Sequence, residues 1–179
     1  MIRRAFDPVV DERTRVLILG SLPGEASLAA GQYYAHPRNA FWPLMDGVTG
    51  QPISRMAYAD RLTALQSVGI GLWDVIASAE RNGSLDSAIR SAEAADLRGL
   101  VSRLPSLQCI AFNGGTAARL GSRILQASIG DILLIDLPSS SPAYARPLGT
   151  KLERWEQLRP FVHSGNSHAV TCRAVKPQV

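Results

Sequence analysis

Four short apolar runs, separated from one another by helix-patterned sequence, constrain the fold of this chain more than any other feature. Runs of this length, rich in apolar and β-branched residues, are typical of buried strands. Strands that alternate with helices pair in parallel and need helices on both faces of the sheet. We therefore predict a single α/β domain with a mostly parallel central sheet flanked by helices. The runs are RVLILG (15–20), IGLWDVI (70–76), LQCIAF (107–112) and DILLID (131–136).

The helical segments follow the same rhythm, and Gly69 ends the second of them. At 179 residues, of which 46% are hydrophobic, the chain is long enough for one domain with its own core. We expect this domain to span residues 1–162 and the polar, unpatterned tail at 163–179 to be loosely ordered. The helices are predicted at residues 39–50, 55–69, 96–104, 115–126 and 148–162.

Several classes of protein are disfavoured by composition. No run approaches the roughly 20 apolar residues that span a bilayer. The N-terminal stretch lacks the apolar core of a signal peptide, so we expect a cytoplasmic protein without a membrane partner. Cys109 and Cys172 are too few for a cysteine-rich metal site and are expected to be ordinary thiols. No metal or organic cofactor is called for.

The charge favours a polyanionic partner only modestly. The formal net charge is +4 and the isoelectric point is near 9.5. Lys151 and Lys176 are the only lysines, so 17 of the 19 basic residues are arginine. The planar fork of arginine suits phosphate, because it donates two parallel hydrogen bonds. A compositional bias of the source genome would explain the arginines equally well.

The loops that follow the predicted strands are the places to look for a site, because α/β folds bind ligands beyond the carboxyl ends of their strands. Three of these loops are rich in glycine, serine or proline, which lets a ligand approach the backbone closely. Together with the aromatic segment QYYAHPRNAFWPLM (32–45), they are predicted to form four walls of one pocket. The loops are GSLPGEAS (20–27), FNGGTA (112–117) and LPSSSPAYA (137–145).

Each wall also has a simpler interpretation. GSLPG suits a tight turn before a helix, Asn113 suits a helix cap, and SSSP suits a cap or linker. Phe41 and Trp42 are expected in the core, and His36 is expected to be a hydrogen-bonding loop residue. Neither GSLPG nor GTAARLG matches a phosphate loop or a nucleophile elbow, so nucleotide hydrolysis and serine-esterase chemistry have no motif support.

The four segments in combination resemble one family. A Gly-Pro turn after the first strand, YYAHPRNAFWPL, FNGG and LPSSSP are similar to motifs of the uracil-DNA glycosylase superfamily, in its mismatch-specific and thymine-DNA glycosylase branch. Within it the resemblance is closest to the hypoxanthine-DNA (deoxyinosine) glycosylases. It covers about residues 16–162, and YYAHPRNAFWPL is its most specific part. It implies a three-layer α/β/α fold of the uracil-DNA glycosylase type.

The resemblance also implies roles for the residues of the pocket. Such an enzyme turns a base out of the duplex and holds it, and the ring of Tyr34 would stack on that base, worth roughly 1–3 kcal/mol. Asn113 would read a carbonyl and the adjacent N–H, because its amide is both donor and acceptor. The GSLPG turn would contribute Gly20, Ser21 and Leu22 to the base-binding wall.

Two polar positions of the wider superfamily are apolar here. Leu22 stands where the mismatch-specific and thymine branch has asparagine and the main uracil branch has aspartate. Leu137 stands where the main uracil branch has histidine. The hypoxanthine branch uses the asparagine before FW instead, which is Asn39 in this chain. The resemblance therefore implies that Asn39 is the catalytic residue and orients the attacking water.

The expected partner is double-stranded DNA that contains a deaminated base, bound by a monomer. No lysine lies in the four motifs, which predicts a monofunctional glycosylase without Schiff-base chemistry. Hypoxanthine is the preferred base and uracil the possible second. The alternatives are a uracil or mismatch-specific glycosylase, a catalytically weak damage-binding domain, and a hydrolase of free nucleosides. The expected DNA-binding residues are Ser139, Ser140, Ser141, Pro142, Tyr144, Arg38 and Arg146, with an undetermined residue of the last loop as the wedge.

Overall fold

The computed structural model describes residues 2–125 and 129–162, and the predicted α/β class is confirmed. The central sheet has four parallel strands in the order β3-β2-β6-β7. A smaller antiparallel sheet has the order β1-β4-β5. The strands are β1 (Ile2–Arg4), β2 (Val16–Gly20), β3 (Ile70–Asp74), β4 (Ile76–Glu80), β5 (Arg90–Ala94), β6 (Cys109–Asn113) and β7 (Leu133–Leu137).

Helices cover both faces of the central sheet, and each predicted helix is present with shifted ends. Helix α5 is described from Gly115 to Leu125, within the range expected for it. Helix α6 ends at Trp155 and continues as a 3-10 turn that contains Pro160, which disrupts an α-helical ladder. The helices are α1 (Glu25–Ala30), α2 (Phe41–Thr49), α3 (Tyr58–Ser67), α4 (Leu97–Ser102), α5 (Gly115–Leu125) and α6 (Leu148–Trp155).

Strand β2 divides the core into two clusters, because successive side chains of a strand point to opposite faces. Val16 and Ile18 belong to the cluster under α2, α3 and α6. Leu17 and Leu19 belong to the cluster under α4 and α5. All four side chains are fully buried. This continuous apolar run is therefore the centre of a three-layer domain.

The second sheet is the main feature that the sequence does not predict. The run at 70–76 was expected to be one strand, but β3 ends at Asp74 and the chain enters the smaller sheet at Ile76. The bend is held by Val75 N–H donating to Gly20 O (2.9 Å) and by Ile76 N–H donating to Ser21 O (3.2 Å). Strand β5 has the sequence RSAEA and is exposed throughout, so it lacks the apolar alternation that marks a strand.

The remaining expectations concern the two cysteines, the C-terminal tail and the membrane. Cys109 is buried, and burial raises the pKa of its thiol to about 12, as for an inert core thiol. Cys172 and the tail at 163–179 lie outside the described residues. In the part of the chain that the structure describes, no helix is long and apolar enough to cross a membrane.

Candidate functional site

The four predicted segments meet at one cavity of about 330 Å³ at the carboxyl ends of β2, β3 and β6. Parallel strands end at the same edge of a sheet, so loops that are distant in sequence come together there. Their individual roles stay predictions. The residues of the cavity wall that the sequence singled out are Gly20, Ser21, Leu22, Tyr34, Asn39, Asn113, Ser139, Ser140, Ser141, Pro142 and Tyr144.

Tyr34 lines the cavity, and one face of its ring is covered from behind. That face is covered by Phe41, with the ring centroids 3.8 Å apart and the planes at 14°. Phe41 in turn packs edge-on against Trp42 and Trp155. Phe41 and Trp42 are buried in the core, as expected from the sequence. Phe41 and Trp42 thus lie as core rings behind the ring of Tyr34, and both Tyr33 and Tyr34 line the cavity.

The backbone of Tyr34 is in the left-handed region, with φ +55°. A bulky residue seldom adopts this conformation, and such strain clusters at functional sites. Its hydroxyl is buried and lacks a hydrogen-bond partner of normal geometry among the described residues. Burial, and then the nearby charge of Asp74, raise the pKa of the Tyr34 phenol. The ring is therefore neutral and fixed, as a stacking surface needs to be.

Asn39 is anchored at the start of α2. Its backbone N–H donates to His36 O (2.8 Å), and its Oδ1 accepts from Phe41 N–H (3.0 Å), which forms an Asx turn into the helix. An amide oxygen has two lone pairs and the amide nitrogen has two N–H donors. The side chain therefore has capacity left to hold a water molecule in the cavity.

Asn113, at the end of β6, is bonded to the loop that follows β7. Its Nδ2 donates to Ser140 Oγ (2.9 Å), and its Oδ1 accepts from Ser140 N–H (2.8 Å). The alternative of a helix cap is thus replaced by a cross-strand clamp. Its second N–H faces the Tyr34 hydroxyl, where it opposes the rise in the pKa of that phenol, so one lone pair of the amide oxygen remains for a ligand.

The flanking basic residues differ in position. His36 lines the cavity, and its Nδ1 accepts from Arg38 N–H (3.1 Å), which fits the expected loop role. Arg38 is exposed and borders a shallow recess beside the cavity mouth. Arg146 is also exposed, but it borders neither the cavity nor the recess.

A fifth wall was missed by the sequence reading. The loop between β4 and β5 brings Ser84, Leu85 and Asp86 to the cavity. It is latched to the GSLPG turn by Ser21 Oγ–H donating to Asp86 Oδ1 (2.6 Å) and by Glu25 N–H donating to Ser84 Oγ (2.9 Å). This wall depends on the unpredicted smaller sheet, so no local sequence signal could have placed it.

The buried Arg81 completes this latch. Its guanidinium donates to the carbonyl oxygens of Leu22 and Pro23. Burial lowers the pKa of Arg81, while the charges of Asp86 and Asp74 act in the opposite direction. The turn after β2 is therefore held in shape by the side chain of the residue that directly follows β4.

Asp74 is the other functional candidate that the sequence reading missed. It lies at the end of β3, lines the cavity and is 4% exposed. Burial raises the pKa of its carboxyl group to about 7. The positive charge of Arg81 acts to lower this pKa, and the negative charge of Asp86 acts to raise it. In the sequence it sits inside an apolar run that was read as one continuous strand, so it was not recognised as a residue of the pocket.

The structure also shows where the two leucines lie that stand at polar positions of the wider superfamily. Leu22 is buried and lines the cavity, whereas Leu137 is packed in the core and does not border it. Neither position supplies a polar side chain to a ligand. Among residues 2–125 and 129–162, no three His, Cys, Asp or Glu side chains gather where they could hold a metal ion.

Comparison with known proteins agrees with this geometry. The profile of the uracil DNA glycosylase superfamily matches residues 8–162. A hypoxanthine DNA glycosylase of Methanosarcina acetivorans is 41% identical over 158 residues, which is 88% of this chain and 98% of that protein. A hypoxanthine DNA glycosylase of Methanosarcina barkeri is 38% identical over 157 residues, with the same coverage.

The fold has a solved counterpart. A solution NMR structure of a provisionally assigned uracil DNA glycosylase from Methanosarcina acetivorans superposes with a TM-score of 0.80 at 40% identity. The match covers 90% of this chain and 99% of that one. The family expected from the four motifs is confirmed by the profile and by both curated relatives. The chain belongs to the uracil DNA glycosylase superfamily.

Proposed function

We propose that this protein is a monofunctional DNA glycosylase that hydrolyses the N-glycosidic bond of a deaminated base turned out of duplex DNA. Hypoxanthine is the preferred base and uracil the second. The family membership and the two hypoxanthine DNA glycosylases at 41% and 38% identity support the activity. A monomer that acts on double-stranded DNA in the cytoplasm is part of the same proposal.

One observation carries the proposal. A stacking ring, an anchored asparagine and a second amide, those of Tyr34, Asn39 and Asn113, line the same cavity. Its volume of about 330 Å³ lies at the small end of ligand pockets, which run from roughly 300 to 1,000 Å³. A single base is a ligand of this size class, whereas a nucleic acid chain is not. The geometry therefore suits a base that has left the stack.

The chemistry follows from the charge that develops as the bond breaks. The sugar becomes oxocarbenium-like and the base leaves as an anion, so the site needs a placed water on one side and hydrogen-bond donors on the other. Asn39 would orient the water without being a strong base. Backbone N–H groups of the GSLPG turn, which Arg81 holds in shape, would support the leaving base.

The position of Lys151 supports a monofunctional enzyme. Its Nζ donates to Ser141 O (3.3 Å) and lies 5.4 Å from the centre of the Tyr144 ring. Lys151 is buried behind the serine-rich loop and does not line the cavity. It is the one lysine that the structure describes, because Lys176 lies in the tail. The described part of the cavity wall thus offers no amine for a Schiff base.

A single assay tests the proposal. The protein is incubated with a labelled duplex that contains one deoxyinosine and, separately, with free inosine. Free base is measured by chromatography, and abasic sites are revealed by alkaline cleavage. We expect base release from the duplex, an intact strand before alkali, and no reaction with free inosine. Binding of the duplex without release of the base would indicate a damage-binding domain, the alternative that the apolar Leu22 and Leu137 would favour. Release of the base from free inosine alone would indicate a nucleoside hydrolase.

Contact with the DNA backbone gives a separate prediction. Replacing Arg38 with glutamine is expected to weaken duplex binding regardless of sequence and to flatten its salt dependence, because a phosphate contact and its released counterion are lost. Arg146→Gln is expected to do the same. Affinities for one duplex, measured by titration at several salt concentrations, give the slopes.

Arg103 provides the matched control. It is exposed and lies between α4 and β6, at the edge of the sheet opposite the cavity, so Arg103→Gln should keep the wild-type slope. A slope identical to that of the wild type for Arg38→Gln would place Arg38 away from DNA. The same outcome for Arg146→Gln would exclude Arg146, which borders neither the cavity nor its recess.

A further inference from the structure

We propose that Asp74 is a specificity-determining residue whose protonated carboxyl group pairs with the lactam edge of the extruded base. The lactam edge is the carbonyl with the adjacent ring N–H, which deamination creates in both hypoxanthine and uracil. A protonated carboxyl offers one O–H donor and one acceptor oxygen, side by side. It can therefore donate to the carbonyl and accept from the N–H. This inference rests on the proposed glycosylase function.

The position of Asp74 suits this role. It is the last residue of β3, beside Gly20 at the end of β2, with Asn113 beyond at the end of β6. Two strand spacings, roughly 10 Å, separate the first and third of these strands. A base over Gly20 would thus lie between Asp74 and Asn113, with its lactam edge toward Asp74, so that Asn113 would bond to another edge of the base rather than to the lactam edge expected from the resemblance.

Gly20 keeps the space in front of Asp74 open. A Cβ atom at this position would lie 2.6 Å from Asp74 Oδ1 and 3.4 Å from the Tyr34 hydroxyl. Any side chain at Gly20 would therefore displace the carboxyl group or fill the floor of the cavity. The bare backbone allows a ligand to reach both polar groups.

Asp74 has an unused polar atom. Its Oδ2 is buried and has no hydrogen-bond partner among the described residues. Buried polar groups are nearly always hydrogen-bonded, because an unpaired one costs roughly 1–3 kcal/mol. An unpaired carboxyl oxygen in the wall of a ligand cavity indicates that the ligand supplies the partner. Asn113 is less free, since both its amide atoms are already bonded to Ser140.

The surroundings of Asp74 keep about half of its carboxyl groups protonated at pH 7 and most of them protonated below that pH. Burial raises the pKa of its carboxyl group to about 7 and outweighs the charge of Arg81, while Asp86 adds to the rise. Tyr33 and Tyr34 also face it, and the charge of Asp74 raises the pKa of both phenols. An ionised Asp74 would have only acceptors and would repel the base carbonyl. The protonated form is thus the one that binds.

The test is the pH profile of base release. Single-turnover rates on a deoxyinosine duplex are measured between pH 5.5 and 8.5 for the wild type, Asp74→Asn and Asp74→Leu. We expect the wild-type rate to fall as the pH rises above about 7, approaching about tenfold per unit, as for a group that must be protonated. Asp74→Asn should stay active with a flat profile, because a carboxamide keeps a donor beside an acceptor.

The single-turnover rate of Asp74→Leu on the deoxyinosine duplex at pH 6 should be at least about tenfold below that of the wild type, because a leucine side chain cannot form hydrogen bonds. This variant should also lose much of the preference for deoxyinosine over deoxynebularine, whose purine lacks both the carbonyl and the N–H. The control is Asp131→Asn, which changes an exposed carboxylate at the opposite edge of the sheet. It should behave as the wild type.

Three results would overturn the proposal. The first is an Asp74→Leu variant that releases base as fast and as selectively as the wild type. The second is a wild-type rate that rises with pH together with an inactive Asp74→Asn variant. The third is an Asp74→Asn variant with the same pH dependence as the wild type. The last would assign the titration to another group. Each requires an active wild type. A wild type that releases no hypoxanthine at any pH would instead refute the proposed function.

Discussion

Replacing Asn39 with alanine is expected to lower the single-turnover rate of base release by at least ~10²-fold, the scale of losing one catalytic polar group. The variant loses the amide that would orient the attacking water. Asn39→Asp should keep part of the activity, since a carboxylate can also hold water and accept from Phe41 N–H. Rates are measured with enzyme in excess over a deoxyinosine duplex.

The structure adds a stability cost that has to be separated from catalysis. Asn39→Ala also removes the Asx turn into α2, worth about 0.5–1.5 kcal/mol for one hydrogen bond. Asp96→Ala is the matched control, because Asp96 Oδ1 accepts from Gly99 N–H (2.9 Å) at the start of α4, and Asp96 does not line the cavity. The control should lose similar stability and keep its rate. Near-normal excision by Asn39→Ala would shift the catalytic role to Asn113 or His36.

Replacing Asn113 with alanine is expected to lower base release by roughly tenfold to 10²-fold and to change the ranking of substrate bases. Hydrogen bonds to a charged group are worth about 1.5–3 kcal/mol, and each 1.36 kcal/mol corresponds to a factor of about ten in rate. The leaving base is such a group. Single-turnover rates on duplexes that contain deoxyinosine or deoxyuridine give both the loss and the ranking.

The bond between Asn113 and Ser140 provides the control. Ser140→Ala removes the Oγ acceptor but leaves the backbone N–H that donates to Asn113 Oδ1. If Asn113 reads the base, Ser140→Ala should keep the wild-type ranking while Asn113→Ala changes it. If Asn113→Ala lowers the melting temperature and leaves base preference intact, its role is to clamp the loop after β7.

The parts of the fold that sequence predicts are those with strong local signals. The central strands are apolar runs, and their alternation with helices implies parallel pairing and a shared edge for the loops. That reasoning placed Tyr34, Asn39 and Asn113 in one pocket, where the structure has them. The smaller sheet lacks such signals, since β5 is polar and alanine-rich and β1 has three residues.

The parts of the site that escaped prediction depend on contacts distant in sequence. Asp74 reaches the pocket because the chain bends at Val75, and hydrogen bonds to the end of β2 hold that bend. Arg81 and Asp86 act on the GSLPG turn from about sixty residues away. The Asn113–Ser140 clamp joins the ends of neighbouring strands. None of these contacts has a local pattern, so only the folded structure shows them.

The substrate expected for this pocket, hypoxanthine rather than uracil, depends on the larger size of the purine base. Hypoxanthine and uracil share the lactam edge, but the purine would stack over more of the Tyr34 ring in the proposed complex. Leu137 also lacks the polar contact that the main uracil branch is expected to use, so selection would depend more on stacking and on the leaving base. These features favour the purine.

Single-turnover rates on two duplexes that differ only in one residue, deoxyinosine or deoxyuridine, decide whether this protein is a glycosylase that prefers hypoxanthine. We expect hypoxanthine to be released from the first, faster than uracil from the second, with the strand intact until alkali is added. Much faster release of uracil would contradict the preference for hypoxanthine but would still support a DNA glycosylase activity. If the protein binds both duplexes and releases neither base, the proposed glycosylase function is contradicted.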